Sequence, residues 1–255
     1  MHSLLRLVLF VGVVFASYDS HATRVAVIDL AYSDLQGVVV EIPPVLRSDV
    51  NFRQNTNFQL LSGHHTLDSV NHGNDMARLI RLIDPNADIV RIKIKNTLPD
   101  LLAAIQHIRE MPNDARPKIV SLSVGSATSC NSHLQSHIDR AVATGIIFVV
   151  SAGNDGNPKL SAPASCNNVI PVGSFNRALQ APSSFSNFSN GVVYVNEDLT
   201  ELFYPRSYNK RGTSYSSAVV AGFASLITQM NESITTDQLL KMLQARQIDG
   251  AVRFK

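Results

Sequence analysis

From Asp88 to Ala152 the chain reads DIVRIKI (88–94), LPDLLAAIQHIREM (98–111), PKIVSLSV (117–124), SHLQSHIDRAVAT (132–144) and IIFVVSA (146–152). The first, third and fifth pieces are short and rich in Ile and Val, as strands are. The second and fourth space their apolar residues at helical intervals. Strand and helix therefore alternate, which predicts an α/β fold: a doubly wound, mostly parallel sheet with helices on both faces.

Working outward, Arg24-Val25-Ala26-Val27-Ile28-Asp29 is another apolar run, ending in a carboxylate at its C-terminal edge. Between Leu30 and Asn71 the signal is poor: Val38 to Ile42 and Phe58 to Leu61 are candidate short strands, and Pro43-Pro44 breaks what precedes it. His72-Gly73-Asn74 opens a helical pattern through Ile83, closed by Asp84-Pro85-Asn86. Downstream, Asn168 to Ser174 reads as a strand, followed by irregular sequence to Gly212 and, later, a helix around Thr235 to Arg246. Gly212-Thr213-Ser214 leads into a helix through Ile227 whose small residues Ala218, Ala221, Gly222 and Ser225 recur at i, i+3, i+4 and i+7 among large apolar ones, so it is buried. Sites in such sheets form at the C-terminal ends of strands, where the next helices begin. Asp29 at a strand end and His72 and Ser214 at helix starts therefore converge on one edge.

The chain has 255 residues, 45% of them hydrophobic, 16% charged, and a net charge of +2, enough for one sizeable core. No long basic run or Lys/Arg-aromatic interleaving points to nucleic acid. Residues 4–16 form an apolar run interrupted only by Arg6 and too short to span a bilayer, so residues 1–22 read as a secretory signal peptide cleaved after Ala16 or Ala22. An uncleaved anchor is the alternative. The expected product is a single domain over residues 23–255, extracellular or periplasmic, monomeric and free of the membrane. In an exported chain the two cysteines, Cys130 and Cys166, favour a disulfide worth about 3–4 kcal/mol; two free thiols are the other possibility.

A serine hydroxyl becomes a strong nucleophile when a base takes its proton and a carboxylate orients that base. Asp29, His72 and Ser214 are the right types for these roles, although Thr213 or Ser214 capping a core helix is a plainer reading of that one motif. Val25 to Asp29, His72-Gly73, and Gly212-Thr213-Ser214 through Val220-Ala221-Gly222 resemble the aspartate, histidine and serine motifs of the subtilisin-like serine proteases, the subtilases. Their order along the chain is that of subtilisin. Ser151-Ala152-Gly153-Asn154 resembles the family's oxyanion motif, and Ser123-Val124-Gly125 the strand that pairs with substrate backbone. Ala162-Pro163-Ala164, Asn168-Val169-Ile170 and Ser184-Phe185-Ser186-Asn187 follow the family's course, and the likeness covers residues 24 to 245.

The resemblance implies a secreted endopeptidase acting through an acyl-enzyme. Ser214 would be the nucleophile, His72 the proton shuttle and Asp29 its orienting partner, with Asn154 and the Ser214 N–H holding the oxyanion. A polypeptide substrate would lie on Ser123, Val124 and Gly125, and these with Ala152, Gly153, Asn154 and the segment near Ser165-Cys166 would border the primary pocket. A Cys130–Cys166 bridge would brace that wall. Asp155 is a candidate for favouring a basic substrate residue, a solvated carboxylate being the simpler reading. No cofactor and no metal are implied, and no family calcium cluster can be placed.

The chain departs from the family pattern at Leu30-Ala31, at Asn74 and at Ala218, and so few residues precede Asp29 that no inhibitory pro-segment is expected. His133 and His137 have i, i+4 spacing but lack the glutamate of the zinc-protease motif, and with His64-His65 they read as solvated. A non-catalytic peptide-binding module is the competing reading. An α/β-hydrolase esterase is excluded, because no histidine follows Ser214.

Overall fold

The computed structural model describes residues 22–30, 32, 39–41, 60–62, 71–95, 97–199, 211–248 and 250–252. The expected signal peptide up to residue 21, with Ala16, and Ala31, Pro43-Pro44, His64-His65 and the stretch 200–210 lie outside the described residues.

The chain runs β1 (Arg24–Asp29), β2 (Val39–Glu41), β3 (Leu60–Ser62), α1 (His72–Ile83), β4 (Asp88–Lys93), α2 (Leu98–Glu110), β5 (Ile119–Leu122), β6 (Val124–Ser126), α3 (Ser132–Val142), β7 (Ile147–Ser151) and β8 (Val169–Asn176). It continues as β9 (Ala181–Pro182), β10 (Val193–Asn196), α4 (Thr213–Met230), α5 (Thr236–Ala245), β11 (Gln247–Ile248) and β12 (Ala251–Val252). Seven strands form a sheet in the order β10-β8-β7-β5-β1-β4-β2, with every pairing along it parallel, and β9 joins β8 antiparallel.

Strand residues alternate between faces, and β1 shows where each face leads. Ala26 and Ile28 enter a core built with Leu101, Leu102, Ile105 and Ile108 of α2 and Leu134 and Ile138 of α3. Val25 and Val27 enter a second core with Met76, Leu79 and Ile80 of α1, Val219 and Val220 of α4 and Leu239 and Leu243 of α5. The sheet is thus clothed on both sides by helices, the doubly wound α/β fold. Strand order reverses about β1, since the chain passes from β4 on one flank to β5 on the other. Asp29 ends β1 at this switch point, where such folds open a crevice.

Helices α2, α3 and α5 start where side chains answer their first N–H groups. Thr97 accepts from Asp100 N–H at the head of α2, Asn131 from Leu134 N–H at α3, and Thr235 and Gln238 form a capping box on α5. Helix α4 lacks such a local cap at Gly212. Helices α1 and α4 are locked together by the fully buried Asp84, which accepts hydrogen bonds from Ser225 Oγ (2.5 Å) and Gln229 Nε2 (2.8 Å).

Several segments differ from the sequence reading. The run 117–124 is not one strand: β5 ends at Leu122, and the chain steps through Ser123 into β6, which leaves the main sheet to pair with β3. Val193–Asn196, inside sequence read as irregular, is the sheet's edge strand β10, stabilised beside β8 and by Gln247 Oε1 accepting from Tyr194 N–H (2.9 Å).

Candidate active site

Asp29 is fully buried, its backbone held by the central strands and its carboxylate aimed off the sheet edge. One carboxylate oxygen, Oδ2, lies 2.7 Å from Nδ1 of His72, and the other accepts the Leu30 N–H at 2.8 Å. A carboxylate can only accept, so Nδ1 of His72 carries the proton and Nε2 is the basic nitrogen. His72 is the first residue of α1, and its neighbour leaves no room for a side chain. A Cβ on Gly73 would lie 2.5 Å from the Tyr32 ring and 2.9 Å from Asp29 Cβ. Tyr32 in turn donates to Val27 O at 2.6 Å, and burial together with the Asp29 charge holds its phenol well above the ordinary tyrosine range.

Ser214 is the second residue of α4 and is 3% exposed, at the N-terminus of a helix of 18 residues. The helix dipole and its first N–H groups favour negative charge there. The next residue, Tyr215, turns the first turn of α4 toward the histidine: its ring meets that of His72 edge to face, with centroids 6.2 Å apart and planes at 83°.

The missing cap of α4 comes from far along the chain. Asn154 Oδ1 accepts from Thr213 N–H (2.8 Å) and from Thr213 Oγ1 (3.1 Å), while Gly153 N–H donates to Thr213 Oγ1 (3.2 Å). Because Thr213 N–H can only donate, the atom facing it is the amide oxygen, which turns the Asn154 NH₂ group the other way. Gly212 sits beside this amide at φ 149°, a region L side chains avoid, with its would-be Cβ 3.3 Å from Asn154 Nδ2.

Loop 153–157 is itself clamped by Asn187, a fully buried residue. Its Oδ1 accepts from Asp155 N–H and Asn157 N–H, both at 3.0 Å, and its backbone N–H donates to Gly153 O at 3.0 Å. Sequence reasoning assigned Asn187 no role. The Ser184-Phe185-Ser186-Asn187 likeness marked its position but not its burial, because nothing in a polar loop residue announces burial.

Ser123 and Ala152 are buried, Gly125 and Gly153 partly so, and Val124 is buried within β6. Ser217 ties two of these pieces together, donating to Ser214 O (2.9 Å) and lying 3.3 Å from Ser123 Oγ. Cys130 and Cys166 are joined in a disulfide, and Ser165 Oγ accepts from Cys130 N–H (2.9 Å), so the Ser165-Cys166 segment is tied to Cys130 twice. Asp155 is exposed and faces Asn187 Nδ2 at 3.4 Å.

His133 is exposed, but His137 is half-buried. Burial, with Arg140, Arg109 and His133 nearby, pushes its imidazole down to about 4. That corrects the solvated reading for His137, whose buried Nδ1 has no hydrogen-bond partner. Among the described residues, no group of three or more His, Cys, Asp or Glu side chains is placed to hold a metal, and no helix is long and apolar enough to cross a membrane.

A family model described as the subtilase family, Peptidase_S8, matches residues 48–251. The chain is 32% identical over 156 residues, 55% of its length, to an extracellular protease of Xanthomonas campestris pv. campestris. It is 27% identical to subtilisin BL of Lederbergia lenta over 77% of both chains. In structure it is similar to a protease of Pseudoalteromonas arctica, with a TM-score of 0.66 and 19% identity over 91% of this chain and 86% of that one. The chain spans only about a quarter of the Xanthomonas protease, 27%, and of an extracellular basic protease of Dichelobacter nodosus, 23%.

Proposed function

The chain belongs to the subtilase family, and from that membership we propose that it is a secreted serine endopeptidase working through Asp29, His72 and Ser214. The observation that carries the reading is the buried Asp29–His72 hydrogen bond of 2.7 Å, set against the N-terminal turn of α4.

In this mechanism His72 Nε2 takes the proton from Ser214 Oγ as that oxygen attacks the scissile carbonyl. Asp29 holds the imidazole in the tautomer with Nδ1 protonated and stabilises the imidazolium that forms. The negative oxygen of the tetrahedral intermediate falls to the Ser214 N–H and the Asn154 NH₂ group, preset by the Thr213 contacts. His72 then returns its proton to the leaving amine. Water, activated by the same base, releases the acyl group from Ser214.

Extended substrate backbone would pair with Ser123, Val124 and Gly125, and the side chain ahead of the scissile bond would enter the space bordered by Ala152, Gly153 and the Cys166 segment. Export is supported by the apolar N-terminal run, by the disulfide, and by relatives named extracellular proteases. Residues 1–22 are proposed as the signal peptide and 23–255 as one peptidase domain.

The deciding experiment is labelling with a fluorophosphonate probe beside Ser214→Ala, with the modified peptide located by mass spectrometry. Labelling at Ser214 that vanishes in the variant is the expected result. A folded chain that takes up no label is a peptide-binding module instead.

A further inference from the structure

Both edges of β6 are occupied. On one side Ser126 N–H donates to Ala162 O at 2.9 Å. On the other, β3 runs antiparallel to β6, with Leu60 opposite Ser126, Leu61 opposite Gly125 and Ser62 opposite Val124. Backbone groups of successive strand residues point to opposite edges. The Gly125 groups therefore face away from Ala162, toward β3.

The Gly125 edge is the one on which, in the reading above, a substrate would add its own strand. We propose that β3 is an intramolecular occupant of the substrate's main-chain site and acts as a specificity filter. An extended peptide has to displace Leu60-Leu61-Ser62 to pair with β6. A small acylating compound needs only Ser214 and is not filtered.

The occupant is suited to exchange. Among the described residues β3 pairs with β6 alone, in a ladder three residues long that is separate from the main sheet. A two-stranded ladder of that size is marginal by itself. An antiparallel peptide entering the same edge recovers the same backbone hydrogen bonds, so the exchange costs what distinguishes an attached strand from a free one, about tenfold in apparent affinity.

The inference rests on the peptidase reading only for the identity of the edge, and its test reads binding rather than turnover. In a Ser214→Ala background, a fluorescently labelled tetrapeptide amide is titrated by anisotropy with and without Leu61→Pro, which deletes the N–H opposite Gly125 and cannot sit in a ladder. A tighter complex by about tenfold is expected, with Leu61→Gly shifting in the same direction by less should the proline variant not melt cooperatively. Unchanged or weaker binding in a variant that melts normally overturns the proposal, and weaker binding would make β3 part of the site's wall. In the active chain Leu61→Pro should lower KM for the tetrapeptide substrate and leave the fluorophosphonate labelling rate unchanged. Absence of labelling in the unaltered chain would sink the peptidase reading alone, since the binding comparison stands without it.

Discussion

The Asp29 carboxylate meets Nδ1 of His72 at 2.7 Å with the acid wholly shielded from water. A buried acceptor there dictates which ring nitrogen is protonated. Asn in its place can turn its NH₂ toward Nδ1 and stabilise the opposite tautomer, leaving Nε2 protonated and useless as a base. Asp29→Asn is therefore expected to lower kcat by about 10⁴ with little change in KM. Steady-state kinetics on a peptide amide check it; a loss below tenfold would remove Asp29 from the mechanism.

Asn154 serves two partners with two atoms, and the substitutions separate them. Its oxygen caps α4 through Thr213, while its NH₂ group is the proposed oxyanion donor. Asn154→Ala should cost about 10²–10³ in kcat and also about 1 kcal/mol of stability. Asn154→Asp keeps the capping oxygen and puts a charged acceptor where the donor was. Thermal melts should therefore tell the two variants apart although both are slow.

Asn187 fixes loop 153–157 by accepting two backbone N–H groups. Asn187→Ala leaves both without their partner and should destabilise by about 1–3 kcal/mol. The loop carries Asn154, so kcat should fall more than KM rises. A variant that is merely less stable, with kcat intact at a temperature where it is folded, would make Asn187 structural only.

His137 makes the fold sensitive to acid. Burial lowers its imidazole from the ordinary 6.5 to about 4. The unfolded chain therefore binds the proton first, and stability falls as pH drops from about 6.5 toward 4, by about 1 kcal/mol for so partly exposed a ring. His137→Gln should flatten that part of the denaturation profile, measured by urea melts at pH 7 and pH 4.5. An unchanged slope would put the acid sensitivity elsewhere.

Much of this arrangement could be read from the sequence because it depends on apolar periodicity. The runs at 24–29, 88–94 and 146–152 read as strands from their Ile and Val content, and a carboxylate ending the first of them had to face the sheet's C-terminal edge. What escaped depends on contacts between distant residues. Thr213 and Asn154 are 59 positions apart, and no local pattern shows that one caps the other's helix. The break at Ser123 is hidden in continuous apolar sequence, where periodicity cannot distinguish one bent strand from two short ones. The strand Val193–Asn196 owes its state to an edge of β8 that only the folded sheet provides.

The first described strand sits in the middle of the sheet. Arg24 pairs opposite Asp88, Val25 opposite Ile119, and Thr23 donates to the carbonyl of Ser225, 202 positions away. A chain emerging N-terminus first therefore carries β1 as a bare apolar ribbon until its two neighbours have followed. Closing such large loops before any contact rewards them makes folding slow. It also orders events: Ser214 is carried by α4, made after β1, β4, β5 and β7, so the three residues of the proposed triad come together late.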